Sequence, residues 1–151
     1  MKCICTAALA ALVSVCGAAR GDLGDTMSQA EARYGAAQGT KKEQTSGAIT
    51  KFYFHGAYGI AVKFIDSKSQ SETFIKGKRA AFSDAEIVEL LKANAMGSEW
   101  RSVYKTAGSQ RWELKSREAT AVYPVGDRAL VFTTKDYIRS QTKLKLVDPG
   151  D

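Results

Sequence analysis

From Ile60 to Phe64, apolar residues recur at every second position, the mark of a strand with one buried face. Thr50 to His55 is rich in aromatic residues, Gly56-Ala57-Tyr58-Gly59 supplies a turn, and Ile60, Val62 and Phe64 alternate with Ala61, Lys63 and Ile65. The pattern predicts two antiparallel strands. Asp66-Ser67-Lys68-Ser69 predicts the next turn and Gln70 to Ile75 a third strand, which Lys76-Gly77-Lys78-Arg79 ends. After Gly97, the segments Trp100 to Lys105, Gln110 to Lys115, Ala119 to Tyr123 and Ala129 to Thr134 predict a four-stranded meander. Ala107-Gly108-Ser109, Ser116-Arg117-Glu118 and Pro124-Val125-Gly126-Asp127 separate them.

Helical spacing appears twice. Thr26-Met27-Ser28-Gln29 has the residues of a capping box, Met27, Ala30 and Tyr34 share one face, and Gly35 is placed to end the helix. Ser83 and Glu86 form a second box, with Phe82 positioned to staple onto Ile87 and with Ile87, Leu90 and Leu91 as the buried stripe. Asp84 and Glu86 suit the first turn of that helix, where its dipole favours negative charge. Ala36 to Gly47 is small, polar and charged, so it predicts an exposed loop.

The resulting order is α-βββ-α-ββββ, an α+β fold with short helices packed on one face of an antiparallel sheet. Each half opens with a capped helix closed by glycine, which suggests a two-fold internal repeat. Residues 20–141 then form a single domain. The tail, residues 142–151, alternates Lys143, Leu144, Lys145 and Leu146 and reads as an edge strand or a frayed end.

Residues 1–19 read as a secretory signal peptide. Lys2 precedes an apolar run from Cys3 to Ala19, and Gly17-Ala18-Ala19 and Ala19-Arg20-Gly21 both offer small residues for cleavage. The mature start is then Arg20 or Asp22. Cys16 is an alternative lipid-attachment residue, although Val15 stands where a small residue is expected. Membrane association follows only if Cys16 is lipidated.

All three cysteines lie in the leader, so the remaining chain forms no disulfide and no thiolate metal site. Its stability must come from its core. At 151 residues, 44% hydrophobic and 25% charged, the composition is that of one ordinary globular domain. The formal charge is +6, which excludes a strongly acidic surface.

Gly24-x-Thr26-x-x-Gln29-Ala30 followed by Tyr34-Gly35 resembles the start of small bacterial envelope proteins of the BamE (SmpA/OmlA) type. The resemblance implies a short helix before a three-stranded antiparallel sheet, and a role in outer-membrane assembly. The match covers about a dozen residues. The chain departs from that family in its poor lipidation cysteine, in Ala36-Ala37 where a proline often follows, and in its second half. Two such halves in tandem are similar to the β-lactamase-inhibitor-protein architecture, whose members act by binding proteins. The whole chain also looks like small secreted proteins of bacteria.

Little in the chain suggests catalysis. The one histidine, His55, would need an orienting carboxylate, with Glu72 and Glu113 as the residues that could approach from other strands. No phosphate loop, nucleophile elbow or dinucleotide fingerprint is present. One histidine and no leader-independent cysteine exclude a tetrahedral zinc site, and no metal or cofactor is expected.

Surface binding is therefore the expected activity. If Phe52 and Phe54 face the helices, Tyr53 and His55 face outward, and Trp100 and Trp112 divide between core and exterior. Tyr53, His55, Tyr58, Trp100 and Trp112 are the candidate partner-binding residues, because tyrosine and tryptophan dominate interface hot spots. Lys76, Lys78 and Arg79 are the candidate anion-binding group. The expectation is an exported, non-enzymatic protein in the periplasm or outside the cell. It would engage an envelope or extracellular protein, not nucleic acid, through its sheet face or edge. The alternative is a small-ligand or lipid pocket between the second helix and the sheet, lined by Leu90, Leu91 and Phe64.

Overall fold

Two capping boxes start the helices at the residues whose side chains permit it. Thr26 Oγ1 accepts from the Gln29 N–H while the Gln29 side chain reaches back, and Ser83 and Glu86 do the same at the second helix. The computed structural model describes residues 22–116 and 118–147. The leader, its cleavage positions and Cys16 lie outside the described residues.

The chain runs α1 (Met27–Tyr34), β1 (Gly39–Lys42), β2 (Ile49–His55), β3 (Tyr58–Ile65) and β4 (Lys68–Lys76). A 3-10 turn (Gly77–Arg79) leads to α2 (Asp84–Ala93). Then come β5 (Trp100–Lys105), β6 (Ser109–Leu114), β7 (Ala119–Pro124), β8 (Ala129–Thr134) and α3 (Lys135–Val147). All strands join one antiparallel sheet in the order β1-β2-β3-β4-β8-β7-β6-β5. Each half is four strands followed by a helix. The fourth strands meet at the centre and the first strands form the two edges, so the order is symmetric about the β4–β8 seam. A capped helix also opens each half, α1 before β1–β4 and α2 before β5–β8, as the repeat read from the sequence has it.

Two elements differ from the sequence expectation. Gly39–Lys42 is a strand and not a loop; its side chains carry no apolar alternation, and backbone bonds to β2 alone make it an edge. Lysines on such an edge discourage further pairing. Residues 142–147 belong to a helix, where an edge strand or a frayed end was expected. The helix starts earlier, because Thr134 Oγ1 caps it by accepting from the Tyr137 N–H and Asp136 sits in its first turn.

The core lies between the sheet and the pair α1 and α2. Ile60, Val62 and Phe64 of β3, Phe74 of β4, Leu130 and Phe132 of β8, and Leu114 of β6 are essentially inaccessible. Edge-to-face contacts link Tyr34 to Phe74 and Phe74 to Phe132, so aromatic packing crosses the central seam. Ala119 and Ala121 keep β7 low, which leaves room for Trp100 on the outer strand to reach Phe132 at 5.7 Å between centroids. The third helix packs elsewhere. Tyr137 bonds Lys63 and Lys135 pairs with Glu113, on the sheet face opposite α1 and α2.

Among these apolar side chains sits a carboxyl group. Glu72 is fully buried on β4, where Tyr34 donates to one carboxyl oxygen at 3.0 Å and the other has no partner. Burial pushes its pKa up to about 7, against the lowering effects of the Tyr34 bond and of Arg33. Glu86 and Glu113 go the other way. Bonds from Lys76 and from Lys135 and Arg101 hold them at about 2.

The signs fix a stability profile. Folded Glu72 keeps its proton above the ordinary value of 4.5, so stability falls as pH rises from there through about 7. For Glu86 and Glu113 stability is instead lost as pH falls from 4.5 toward 2. Scanning calorimetry should therefore find maximal Tm near about pH 5, with a drop of roughly 5–10 °C by about pH 8. Glu72→Gln should flatten the alkaline side while leaving the acid limb in place.

Candidate functional site

Two helices are too narrow to cover eight strands. A helix with its side chains is about 10–12 Å across, whereas eight strands at about 4.8 Å spacing extend over roughly 34 Å. α1 lies over β2 and β4, with Tyr34 packed on Tyr53 and bonded to Glu72, and Lys51 of β2 paired with Glu31 at 2.5 Å. α2 enters beside β7, where the Tyr123 hydroxyl accepts from the Phe82 N–H at 3.1 Å. Among the described residues, the helix-side face of β5 and β6 is only partly covered, with Leu114 buried and Trp100 and Trp112 half-buried.

The result is a groove between α2 and β5–β6. Its main section encloses about 440 Å³ and is bounded by Val88, Leu91 and Ala95 on the helix side and by Trp100, Ser102 and Trp112 on the sheet. A second section of about 280 Å³ shares Val88, Leu91, Ser102 and Trp112 and extends toward Asp84, Lys105 and Gln110. The two sections adjoin along the helix. From Asp84 to Ala93 the helix rises about 14 Å, which sets the length of the groove's helical wall.

Helical spacing makes the wall. Ile87 and Leu90 turn into the core, while Val88 and Leu91 lie three apart on the adjoining side and Ala95 follows just beyond the helix end. Val88 is 46% exposed, an aliphatic side chain with only the groove beside it. Register makes the floor: Trp100 pairs with Leu114 and Trp112 with Ser102, so the two indoles are diagonal neighbours on one face. Charges at the rim are internally paired. Lys105 spans the channel to Asp84 at 3.2 Å, Lys92 bonds Glu89 at 3.0 Å, and Glu99 pairs with Lys115.

The predicted partner residues all fall on this helix-covered side. Tyr53 is 1% exposed beneath α1, and His55 is half-buried with its ring 6.0 Å from that of Tyr34. Tyr58 stacks on Phe82 at 5.9 Å. The outward residues of β2 are Phe52 and Phe54, the latter 74% exposed. The alternation was right but its phase was reversed. Both phases of this strand are aromatic, and two glycines decide between them: the Phe52 ring covers Gly39 and the Phe54 ring covers Gly59, each with a ring atom 3.6 Å from the position of a Cβ.

Other expectations change similarly. Leu90 and Phe64 lie in the closed core, at 3% and 1% exposure, and of the three residues expected to line a pocket only Leu91 reaches the groove. Glu72 is engaged by Tyr34, and Glu113 lies on the opposite sheet face with Arg101 and Lys135. Neither orients His55. Lys76 is neutralised by Glu86 at 2.8 Å, whereas Lys78 and Arg79 are exposed. Among the described residues no cluster of His, Cys, Asp and Glu is placed to hold a metal ion, and no helix is long and apolar enough to cross a membrane. The pocket expected between the second helix and the sheet corresponds to this groove, but Val88, Ala95, Trp100 and Trp112 were not among its expected lining; the sequence signal for its wall was Val88 beside Leu91 on α2.

No protein-family model matches the chain, and no curated protein matches it. Among solved structures, the chain is similar to an extracellular protein containing an SCP domain from Bacillus anthracis str. Ames, at 10% identity and a TM-score of 0.46. The similarity covers 77% of this chain and 45% of that one, so this chain spans less than half of that protein's length. Likeness at that level bears on neither activity nor ligand.

The two sides of α2 should respond differently to truncation. Urea titrations should show a loss of about 2–5 kcal/mol for Leu90→Ala, which empties a core position, and a change within about 0.5 kcal/mol for Val88→Ala.

Proposed function

We propose that the protein is a non-catalytic binding protein whose ligand is an apolar small molecule or a lipid acyl chain held in the groove between α2 and β5–β6. The observation that carries this reading is the aliphatic wall of Val88, Leu91 and Ala95 facing Trp100 and Trp112 across an open channel. Ligand pockets have volumes of about 300–1,000 Å³ and are lined mainly by apolar and aromatic side chains. The main section, at about 440 Å³, is within that range. With the rim charges already paired, the ligand's apolar body supplies the affinity. Its polar end remains in solvent.

Export supports the same reading, since the leader-like segment would place the protein where free lipids and small apolar compounds are met. A second reading is engagement of an envelope or extracellular protein through the sheet. The open face favours it with Phe52 and Phe54, and not with the tyrosines and tryptophans, which face the helices.

Both tryptophans of the chain line the groove, so intrinsic fluorescence reports its occupancy. Titration with a single-chain fatty acid below its micellar concentration should shift the emission and saturate. Val88→Glu should weaken binding about tenfold or more, because the apolar chain would have to desolvate a carboxylate. Unsaturable emission changes, or equal affinity in the variant, would remove the groove as the binding site.

A further inference from the structure

The uncovered face of the sheet is graded from one end to the other. Near α3 it is polar: Lys63, Ser71, Thr133, Thr120 and Glu113 lie in one row across five strands. The next row is mainly apolar, with Val122, Val131, Thr73, Ala61 and Phe52 in register. The last row is Ala129, Ile75, Gly59 and Phe54. Three strand spacings, about 14 Å, separate the ends of that row. Phe54 stands out from it at 74% exposure, its ring resting on Gly59.

Three turns border this apolar end: the uncharged Gly56-Ala57 turn beside Phe54, and two that are cationic. Lys78 and Arg79 follow Ile75 within four residues, and Arg128 immediately precedes Ala129. The loops are tied together, since Arg128 Nη1 donates to the Arg79 carbonyl at 3.0 Å. Lys78, Arg79 and Arg128 are exposed and, among the described residues, form no ion pair, whereas neighbouring Lys76 is paired. All three have positive φ, between 50° and 54°, so the backbone holds them in tight turns. Asp127 is the one carboxylate within these two loops.

We infer that this end of the sheet docks onto an anionic lipid surface, with Phe54 entering the interfacial layer and Lys78, Arg79 and Arg128 contacting lipid phosphates. The two features select this occupant together. Unpaired cations beside a projecting aromatic ring match the headgroup level of a membrane, where electrostatic attraction and shallow apolar burial add. A nucleic acid or other soluble polyanion would use the cations and leave Phe54 without a role. Attachment of this kind needs no lipid on Cys16, and it leaves the α2 groove on the opposite face open.

Sedimentation with extruded vesicles tests the inference. The protein should partition into phosphatidylglycerol–phosphatidylcholine vesicles at least tenfold more strongly than into pure phosphatidylcholine, and high salt should weaken it. Replacing Lys78, Arg79 and Arg128 together by Gln should lower partitioning at least tenfold, and Phe54→Ser several-fold, with circular dichroism melts unchanged. Val88→Glu, which blocks the groove, should leave vesicle binding intact. Equal partitioning into both vesicle types, or full retention in either surface variant, would overturn the proposal. So would heparin binding as tight as vesicle binding and indifferent to Phe54→Ser, which would mark a general polyanion site.

Discussion

The pairing of β4 with β8 is the constraint on which the rest of the structure depends. It joins two four-stranded units into one sheet, and the aromatic chain from Tyr34 through Phe74 to Phe132 and Trp100 is continuous only because that seam is closed. Glu72 lies on the same strand, opposite Phe132. Its unpartnered oxygen is thus confined at the place where the two halves meet, and the cost of ionising it is borne by the seam.

The same joining creates both candidate surfaces. A sheet of eight strands is wider than the two short helices assigned to one of its faces, so β5 and β6 are left to line a groove. Among the described residues the other face meets only α3, at its polar end, through Tyr137 and Lys135. What remains open is the apolar end, between the Phe54 ring and the cationic turns. Groove and rim are therefore consequences of coverage, set by how much sheet the helices leave bare.

Seven of the strands and both capped helices were legible in the sequence, the strands from apolar alternation, aromatic content and the turn residues between them, the helices from their capping boxes. Gly39–Lys42 was not, since a strand made only of Gly, Thr and Lys has no apolar phase to read. The C-terminal helix was concealed by the local alternation of Lys143 to Leu146, although Thr134 and Asp136 already signalled its start. In the candidate site, Trp100 and Trp112 were identified as residues of interest, but their face was not. Deciding it required knowing that Gly39 and Gly59 would lie beneath Phe52 and Phe54, a matter of register between distant segments. Val88 was overlooked because the stripe of Ile87, Leu90 and Leu91 already accounted for α2 as an ordinary core helix.

The symmetric strand order has one more implication. A single ββββα unit, cut free of the other, would present its fourth strand as a bare edge, ready to hydrogen-bond with whatever matched it. An identical copy would pair with it antiparallel across a two-fold axis, like edge to like edge. In the present chain the two units share a polypeptide, so their pairing does not depend on concentration.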